Sequence, residues 1–310
     1  MRKSQHKIGS EFDLIDWIRQ QVISRDEVLL GIGDDTAILQ PTDRPWLTTV
    51  DSIAEGTHFT LETATPQQIG RKALAINLSD IAAMAGEPVA AFVSFHLPKH
   101  LGRTFIERVY QGLFQIAEEF NTVIAGGDTN TWDGPFVISI TLMGLAHPQG
   151  SVLRSGAQVG DAICVTGELG GSLPSKHHLD FTPRVHEARQ LLEHFDIHSM
   201  IDISDGVASD LRHILNASDT GAVIDAEHIP ISKAVDEKLP HAERIRHALC
   251  DGEDFELLFT LSQNECESLL TDPPFDLPVH RIGEITKSGY QLQCDNQAED
   301  LRDLGWVHQL

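Results

Sequence analysis

Residues 66–97, PQQIGRKALAINLSDIAAMAGEPVAAFVSFHL, place a long helical pattern directly before a continuous apolar run. Pro66 suits the first turn of a helix, and Gly86, followed by Glu87 and Pro88, suits its end. The run VAAFVSFHL is typical of a buried strand. This stretch therefore indicates a domain in which helices pack against a sheet.

The same alternation of helix and strand extends in both directions along the chain. Strands are predicted in PWLTTVDSI and FVISITLMGLA, and a helix is predicted in RTFIERVYQGLFQIAEEF. TVIAGGD is predicted to be a strand that ends in a glycine turn. Residues 147–161, rich in Pro, Gly and Ser, interrupt the pattern, which resumes as strand, turn and helix in SMIDISDGVASDLRHIL. We therefore predict an α/β (α+β) fold with two domains, residues 1–148 and 149–310.

The composition excludes several classes of protein. The chain of 310 residues has a formal net charge of −23, whereas a nucleic-acid partner would need a basic face. No apolar run approaches the roughly 20 residues that span a bilayer, and the N-terminal residues lack the apolar stretch of a secretory signal. The four scattered cysteines favour free thiols in a reducing compartment. We expect a cytoplasmic protein with neither a membrane nor a nucleic acid as partner.

Acidic residues recur where the apolar, strand-like runs end. A single Asp after a strand usually caps a helix or forms a turn, but this recurrence favours a second use. Asp80 lies within a helical pattern among apolar residues, where its charge needs a partner. The other acidic positions of this kind are Asp34, Asp35, Asp51, Asp128, Asp202, Asp205, Glu253 and Asp254. Oxygen ligands suit Mg²⁺, which completes its shell with water and phosphate oxygens, so the pattern indicates phosphate chemistry.

The familiar phosphate-binding and nucleophile motifs are missing from the sequence. There is no GxxxxGK[ST] loop, no HRD and DFG pair of a protein kinase, and no GxSxG elbow. If the protein handles ATP, we therefore expect it to do so with glycine turns and metal-loaded carboxylates.

A series of motifs, taken in order, resembles those of the thiamine-monophosphate kinases. They are GSEFDLI, GIGDDTA, VDSIAEGTHF, KALAINLSDIAAMAGEP, IAGGDT, RSGAQVGD, IDISDG, GEDFELLF and a terminal GW. The resemblance runs from about residue 9 to residue 307. This family belongs to the superfamily of aminoimidazole ribonucleotide synthetase, selenophosphate synthetase and the hydrogenase-maturation ATPases.

The resemblance implies a fold and a reaction. The N-terminal domain, residues 1–148, would bind ATP and Mg²⁺ and contribute strands to a β-barrel at the interface of a homodimer. The C-terminal α/β domain would be residues 149–310, with ATP and several Mg²⁺ ions between the two domains. The implied enzyme transfers the γ-phosphoryl group of ATP to thiamine monophosphate, which is the last step of thiamine diphosphate biosynthesis.

Matching positions imply three groups of site residues. The implied metal contacts are Asp35, Thr49, the backbone of Val50, Asp51, Asp80, Asp128, Asp202 and Asp205. The implied ATP contacts are Tyr110, Gly127, Asp128, Arg154 and Ser204, and those of thiamine monophosphate are His58, Glu253 and Trp306. A carboxylate and an aromatic face suit the permanent thiazolium cation. No catalytic side chain is assigned, because the attacking phosphate, with a second pKa of about 6, is already mostly anionic at neutral pH.

Residues 167–185, GELGGSLPSKHHLDFTPRV, depart from the family's pattern and leave an alternative open. The chain could be a regulatory homologue that binds nucleotide and Mg²⁺ without catalysis. Another alternative is a different ATP-dependent enzyme of the superfamily. Selenophosphate synthetase would need a reactive Cys or selenocysteine in an N-terminal loop, but no Cys precedes Cys164. The hydrogenase-maturation type would need a C-terminal Cys, whereas this sequence ends in GWVHQL.

Overall fold

A computed structural model describes residues 11–294, 297–302 and 304 of the chain. The described residues fall into two compact units. Unit 1 takes its residues from 1–78 and 88–145, and unit 2 takes its residues from 79–87 and 146–310. The helix Pro66–Ala83 is therefore divided, and its residues from Ser79 onwards are counted with unit 2.

Unit 1 is built on a four-stranded sheet. Its helices are α1 (Glu11–Gln21), α2 (Pro66–Ala83, up to Leu78) and α3 (Gly102–Glu119). Its strands are β1 (Val28–Leu30), β2 (Ile38–Leu39), β3 (Trp46–Ala54), β4 (Glu87–Pro98), β5 (Val123–Trp132) and β6 (Val137–Leu145). The sheet has the order β3-β6-β4-β5, in which β3 and β6 are antiparallel and β4 and β5 are parallel. The strands β1 and β2 form a separate antiparallel pair.

Two glycines allow α2 and α3 to pack with their backbones in contact. A Cβ at Gly70 would lie 1.9 Å from the Val109 carbonyl oxygen, and one at Gly112 would lie 1.9 Å from that of Gln67. Only glycine fits at either position, because protein interiors leave no room for an extra carbon. This close crossing fixes the part of α3 that carries Tyr110.

Unit 2 is built on a seven-stranded sheet. Its helices are α4 (Ser172–Ser175), α5 (His177–Asp180), α6 (Val185–His194), α7 (Val207–Ser218), α8 (His241–Cys250) and α9 (Gln263–Thr271), with a 3₁₀ helix over Ala226–His228. Its strands are β7 (Ala162–Thr166), β8 (Ser199–Asp202), β9 (Gly221–Asp225), β10 (Leu257–Leu261), β11 (Val279–Thr286), β12 (Tyr290–Cys294) and β13 (Gln297–Asp300). The order is β13-β12-β9-β11-β7-β10-β8, and only the pair β12 and β9 is parallel.

The strands β7, β8 and β10 are buried at every residue, which agrees with the largely apolar sequences of β7 and β10. Side chains of α7 and α8, including Leu211, Ile214 and Ala248, join the core of this unit. The strand β8 ends at Asp202 and α7 begins at Val207, so the acidic turn between them is held by the core at both ends.

The predicted α/β class is confirmed, and the helix predicted over residues 66–86 is confirmed with a shorter C-terminal end, at Ala83. The prediction of a strand ending in a glycine turn in TVIAGGD was wrong, because β5 continues through Gly126 and Gly127 to Trp132. Glycine often ends a strand, but here it lets β5 run close beside β4.

The domain boundary near residue 148 stays a prediction. Among the described residues, no helix is long and apolar enough to cross a bilayer.

Candidate functional site

An open cavity of about 930 Å³ lies in unit 1. Its wall includes four residues that the sequence predicts as ATP or metal contacts: Asp35, Tyr110, Gly127 and Asp128. Asp16, Asp34 and Arg19 also line it. The cavity therefore carries more carboxylates than cations, and a phosphate group would meet net negative charge unless cations entered with it.

The two adjacent acids of GIGDD have different roles in the structure. The Asp34 side chain accepts a hydrogen bond of 2.8 Å from the backbone N–H of Asp35, so it caps its own turn. Gly33 has a φ of 138°, and a side chain there would press on the guanidinium group of Arg19. The carboxylate of Asp35 is exposed and lines the cavity, so it is available to a ligand there.

The glycine pair before Asp128 is required by the sheet. Gly127 is paired with Val93 of β4, and a Cβ at Gly127 would lie 1.9 Å from the Val93 carbonyl oxygen. The exposed Asp128 side chain accepts a hydrogen bond of 2.6 Å from Asn130 Nδ2. The backbone contact therefore fixes where the Asp128 carboxylate enters the cavity.

Tyr110 lines the cavity from α3 and is only 4% exposed. Its ring meets that of Phe95 edge to face, with centroids 6.3 Å apart. Burial raises the pKa of Tyr110 far above its usual value, so the phenol stays protonated at neutral pH. It can serve a phosphate or a ribose as a hydrogen-bond donor but carries no charge.

The predicted residues on and after β3 lie outside this cavity's lining. Thr49, Val50 and Asp51 pair with β6, and the Val50 side chain is 59% exposed. His58 Nδ1 accepts a hydrogen bond of 3.1 Å from the Ala54 N–H. The structure thus gives His58 a structural contact in the turn after β3, and it does not bring these four residues to the cavity.

In unit 2 the structure brings Asp80 and Asp202 together. Ser79 Oγ donates a hydrogen bond of 2.7 Å to Asp202 Oδ2, and Asp202 is 5% exposed. Burial, and then the negative charge of Asp80, raise the pKa of Asp202 to about 7, while Arg154 acts in the opposite direction. A cation between these carboxylates would offset both the burial and the repulsion.

Sequence reasoning missed Asp210, which lies in the first turn of α7 and is 2% exposed. Its Oδ2 accepts a hydrogen bond of 3.0 Å from the backbone N–H of Asp205. Burial, followed by the charge of Asp202, raises the pKa of Asp210 to about 8. A signal was available, because SDGVASD places a third acid where the apolar face of a helix begins. Asp210 holds the backbone of the turn that carries Asp205.

The turn of the GEDFE motif lies against the same acidic turn. Glu253 N–H donates a hydrogen bond of 2.7 Å to the Ser204 carbonyl, and Phe255 N–H donates one of 2.8 Å to the Ile203 carbonyl. Glu253 and Phe255 have φ values of 59° and 50°, which are unusual for residues with a Cβ. The predicted ATP contact Ser204 and the predicted substrate contact Glu253 therefore belong to two turns with a fixed mutual position.

Residues 167–185, which depart from the family's pattern, are anchored to this region. Arg184 binds Glu256 with two hydrogen bonds of 2.8 and 2.5 Å, and Thr166 Oγ1 donates one of 2.6 Å to Glu256. Glu256 is 3% exposed, so its charge is satisfied almost entirely by these groups. Sequence reasoning assigned no role to Arg184 or Glu256. Asp254, 3% exposed, accepts the Gly170 N–H, and burial raises its pKa to about 8.

The donor groups fit a hard divalent cation. Within the described ranges, no group of three or more His, Cys, Asp or Glu side chains is arranged to hold an ion by itself. Asp80 and Asp202 offer carboxylate oxygens close enough for the charge of Asp80 to raise the pKa of Asp202. Mg²⁺ typically takes few carboxylates and completes its shell with water and phosphate. The predicted substrate contact Trp306 lies outside the described residues.

Comparisons with known protein families agree with this architecture. Residues 33–146 match the family model described as AIR synthase related protein, N-terminal domain. Residues 158–295 match the AIR synthase related protein, C-terminal domain. The fold and the acidic turns thus define a two-domain protein of the AIR synthase related class.

Similarity to individual relatives identifies the family within this class. A thiamine-monophosphate kinase of Rhodopirellula baltica is 39% identical, covering 96% of this chain and 97% of its own. The crystal structure of thiamine-monophosphate kinase from Stenotrophomonas maltophilia has a TM-score of 0.81 at 36% identity, covering 94% of this chain and 98% of its own. The structure of AaThiL complexed with AMPPCP and TMP has a TM-score of 0.71 at 28% identity, with coverages of 93% and 96%. The chain belongs to the thiamine-monophosphate kinase family.

Proposed function

We propose that the protein transfers the γ-phosphoryl group of ATP to the phosphate of thiamine monophosphate, giving thiamine diphosphate and ADP. The observation that carries the proposal is the buried carboxylate of Asp202, whose pKa is raised by burial and by the negative charge of Asp80, in a chain that belongs to a kinase family. AaThiL, which is 28% identical, binds AMPPCP and TMP, and this supports ATP and thiamine monophosphate as the two substrates. The reaction is the last step of thiamine diphosphate biosynthesis.

The proposed ligands of several Mg²⁺ ions are those predicted from the sequence. They are Asp35, Thr49, the backbone of Val50, Asp51, Asp80, Asp128, Asp202 and Asp205. Mg²⁺ held by these residues would neutralise phosphate oxygens of the two polyanionic substrates. The high proportion of carboxylates around the unit 1 cavity and at Asp202 supports this requirement for divalent cations.

The chain's own residues supply binding and orientation. For ATP we propose contacts from Tyr110, Gly127, Asp128, Arg154 and Ser204. The neutral phenol of Tyr110 donates a hydrogen bond, and the Arg154 guanidinium supplies positive charge. No residue needs to remove a proton, because the acceptor phosphate is mostly anionic at neutral pH.

For thiamine monophosphate we propose contacts from His58, Glu253 and Trp306. The carboxylate of Glu253 would attract the thiazolium cation, and the ring of Trp306 would offer it an aromatic face. His58 is fixed in its turn by the Ala54 N–H, which gives its ring a defined direction.

We propose that the protein is a cytoplasmic homodimer in which residues 1–148 bind ATP and Mg²⁺ and form the interface, while residues 149–310 form the C-terminal domain. The strand β3 is at one edge of its sheet within the described residues, and it exposes Thr48, Val50 and Ser52 on one face. An edge strand offers unpaired backbone groups to a second copy, and this supports a barrel shared by two subunits.

Incubation with ATP, Mg²⁺ and thiamine monophosphate tests the proposed function. We expect thiamine diphosphate to appear in proportion to ADP, and we expect EDTA to abolish both. Binding of ATP without any thiamine diphosphate would refute the proposal and favour a regulatory homologue. Unphosphorylated thiamine in place of thiamine monophosphate is the matched control, because it lacks the acceptor phosphate and should give no thiamine diphosphate.

A further inference from the structure

The side chain of Ser172 has a contact that the proposed reaction does not use. Ser172 begins α4, within the segment that departs from the family's pattern, and is 1% exposed. Its hydroxyl donates a hydrogen bond of 2.6 Å to the backbone carbonyl of Glu253. A buried hydroxyl therefore reaches from the divergent segment to the proposed thiazolium-binding residue.

Glu253 needs support from its surroundings. Its φ of 59° lies in the left-handed region, where the Cβ of an L-residue is crowded by the following carbonyl. Such a conformation persists only when neighbouring groups hold it. Without them the backbone would relax towards a negative φ, and the direction of the Glu253 side chain would change with it.

Two hydrogen bonds supply this support, one on each side of the Glu253 Cα. The N–H of Glu253 donates to the Ser204 carbonyl at 2.7 Å. Its carbonyl accepts from Ser172 Oγ at 2.6 Å. With both peptide groups fixed, the Cα–Cβ bond of Glu253 has a single direction relative to the turn of Ser204.

Ser172 is itself held firmly enough to act as an anchor. Its carbonyl accepts a hydrogen bond of 3.0 Å from His178 Nδ1. The two preceding residues donate backbone N–H groups: Gly170 to Asp254 and Gly171 to Asp251, each at 3.0 Å. The segment around Ser172 is thus attached at three successive residues to the GEDFE turn and to Asp251, which precedes it.

We propose that Ser172 is a positioning residue that orients Glu253 towards thiamine monophosphate. The proposal rests on the proposed role of Glu253 in binding the thiazolium cation. Ser172 touches neither substrate in this account and acts only through the Glu253 backbone. The divergent segment then takes part in substrate recognition, which is a different role from the impaired catalysis that its sequence leaves open.

The test compares S172A with S175A in steady-state kinetics. Ser175 is the matched control, because its hydroxyl donates to carbonyls of the same segment, Gly171 at 2.7 Å and Ser172 at 3.2 Å, and not to Glu253. Losing one hydrogen bond to the backbone should raise the KM for thiamine monophosphate about fivefold in S172A. The KM for ATP in S172A, and both KM values in S175A, should stay within about twofold of wild type.

A double-mutant cycle with E253Q separates positioning from general damage to the segment. If Ser172 acts through the Glu253 carboxylate, adding S172A to E253Q should change the KM for thiamine monophosphate by less than about twofold. Should S172A fail to fold, S172C replaces it, because a thiol is a much weaker donor of similar size.

The outcomes are distinguishable. A wild-type enzyme that makes no thiamine diphosphate overturns the proposed function. A wild-type enzyme that is active, with an unchanged KM for thiamine monophosphate in S172A, overturns the role of Ser172 alone. Equal rises in the KM values for both substrates, or a full additional effect of S172A in E253Q, also overturn it.

Discussion

Ser79 and Asp202 are joined by a hydrogen bond of 2.7 Å although they are 123 positions apart in the sequence. Ser79 belongs to α2 and Asp202 ends β8, and both lie in unit 2. The contact brings the neighbouring Asp80 close enough for its charge to raise the pKa of Asp202. The strongest candidate for a cation site in unit 2 thus depends on one helix end meeting one strand end.

The buried carboxylate of Asp202 should make the free energy of unfolding depend on pH in the presence of EDTA. Because the pKa of Asp202 is raised to about 7, its contribution to stability is fully present below the unfolded pKa of about 4 and is lost as the pH rises through about 7. S79A removes a donor to the charged form and should cost about 1.5–3 kcal/mol of unfolding free energy at about pH 8, and less at about pH 5.5.

Urea unfolding at the two pH values measures this difference. S199A is the matched control, because Ser199 is also buried but shares its hydrogen bond of 2.7 Å with the neutral hydroxyl of Thr260. A cost for S79A that is the same at both pH values would contradict the assignment.

Asp80 should be essential for turnover. Replacing a metal-binding carboxylate by an amide removes the charge and keeps the shape, so D80N should lower kcat by at least about a hundredfold. The rate of thiamine diphosphate formation against Mg²⁺ concentration is the measurement. D133N is the matched control, since the side chain of Asp133 is 84% exposed and pairs with the surface Lys99. Full Mg²⁺-dependent turnover by D80N would refute the metal role.

The buried pair of Arg184 and Glu256 should be required for folding stability. Their side chains are 14% and 3% exposed, so R184M leaves a buried carboxylate uncompensated and should cost about 3–5 kcal/mol. The double variant with E256M should recover a large part of that loss. R246M, which breaks the exposed pair with Glu299, should cost about 1 kcal/mol or less. Chemical denaturation of the three variants checks the ranking, and equal losses of unfolding free energy in R184M and R246M would contradict it.

Gly127 should tolerate no side chain. The Cβ of G127A would lie 1.9 Å from the Val93 carbonyl oxygen, so the strands must separate, at a cost of about 1–3 kcal/mol. G31A is the matched control on the same cavity, because its Cβ would meet no atom closer than 3.9 Å. Thermal unfolding without ATP measures the stability of each variant, and the shift in melting temperature on adding ATP measures whether the cavity still binds it. Equal melting temperatures for G127A and G31A would show that the contact between Gly127 and the Val93 carbonyl does not require glycine.

The sequence was sufficient for the fold class and for those features that depend on local patterns. Asp80 was placed in a helix by apolar periodicity, and the capping role of Asp34 follows from turn chemistry. The contacts of Ser79 with Asp202 and of Ser172 with Glu253 could not be predicted in this way, because each joins residues that are far apart in the sequence. The glycine turn predicted in β5 was wrong, because glycine in a sequence indicates either a turn or a close backbone approach and does not distinguish between them.

Transfer of a γ-phosphate label tests the central claim most directly. The purified protein, Mg²⁺, thiamine monophosphate and ATP labelled only in its γ-phosphate are combined, and the labelled products are separated. We predict that the label appears in thiamine diphosphate in equal amount to the ADP formed. Label found only in inorganic phosphate, or retained in ATP that binds without reacting, would contradict the proposed phosphoryl transfer.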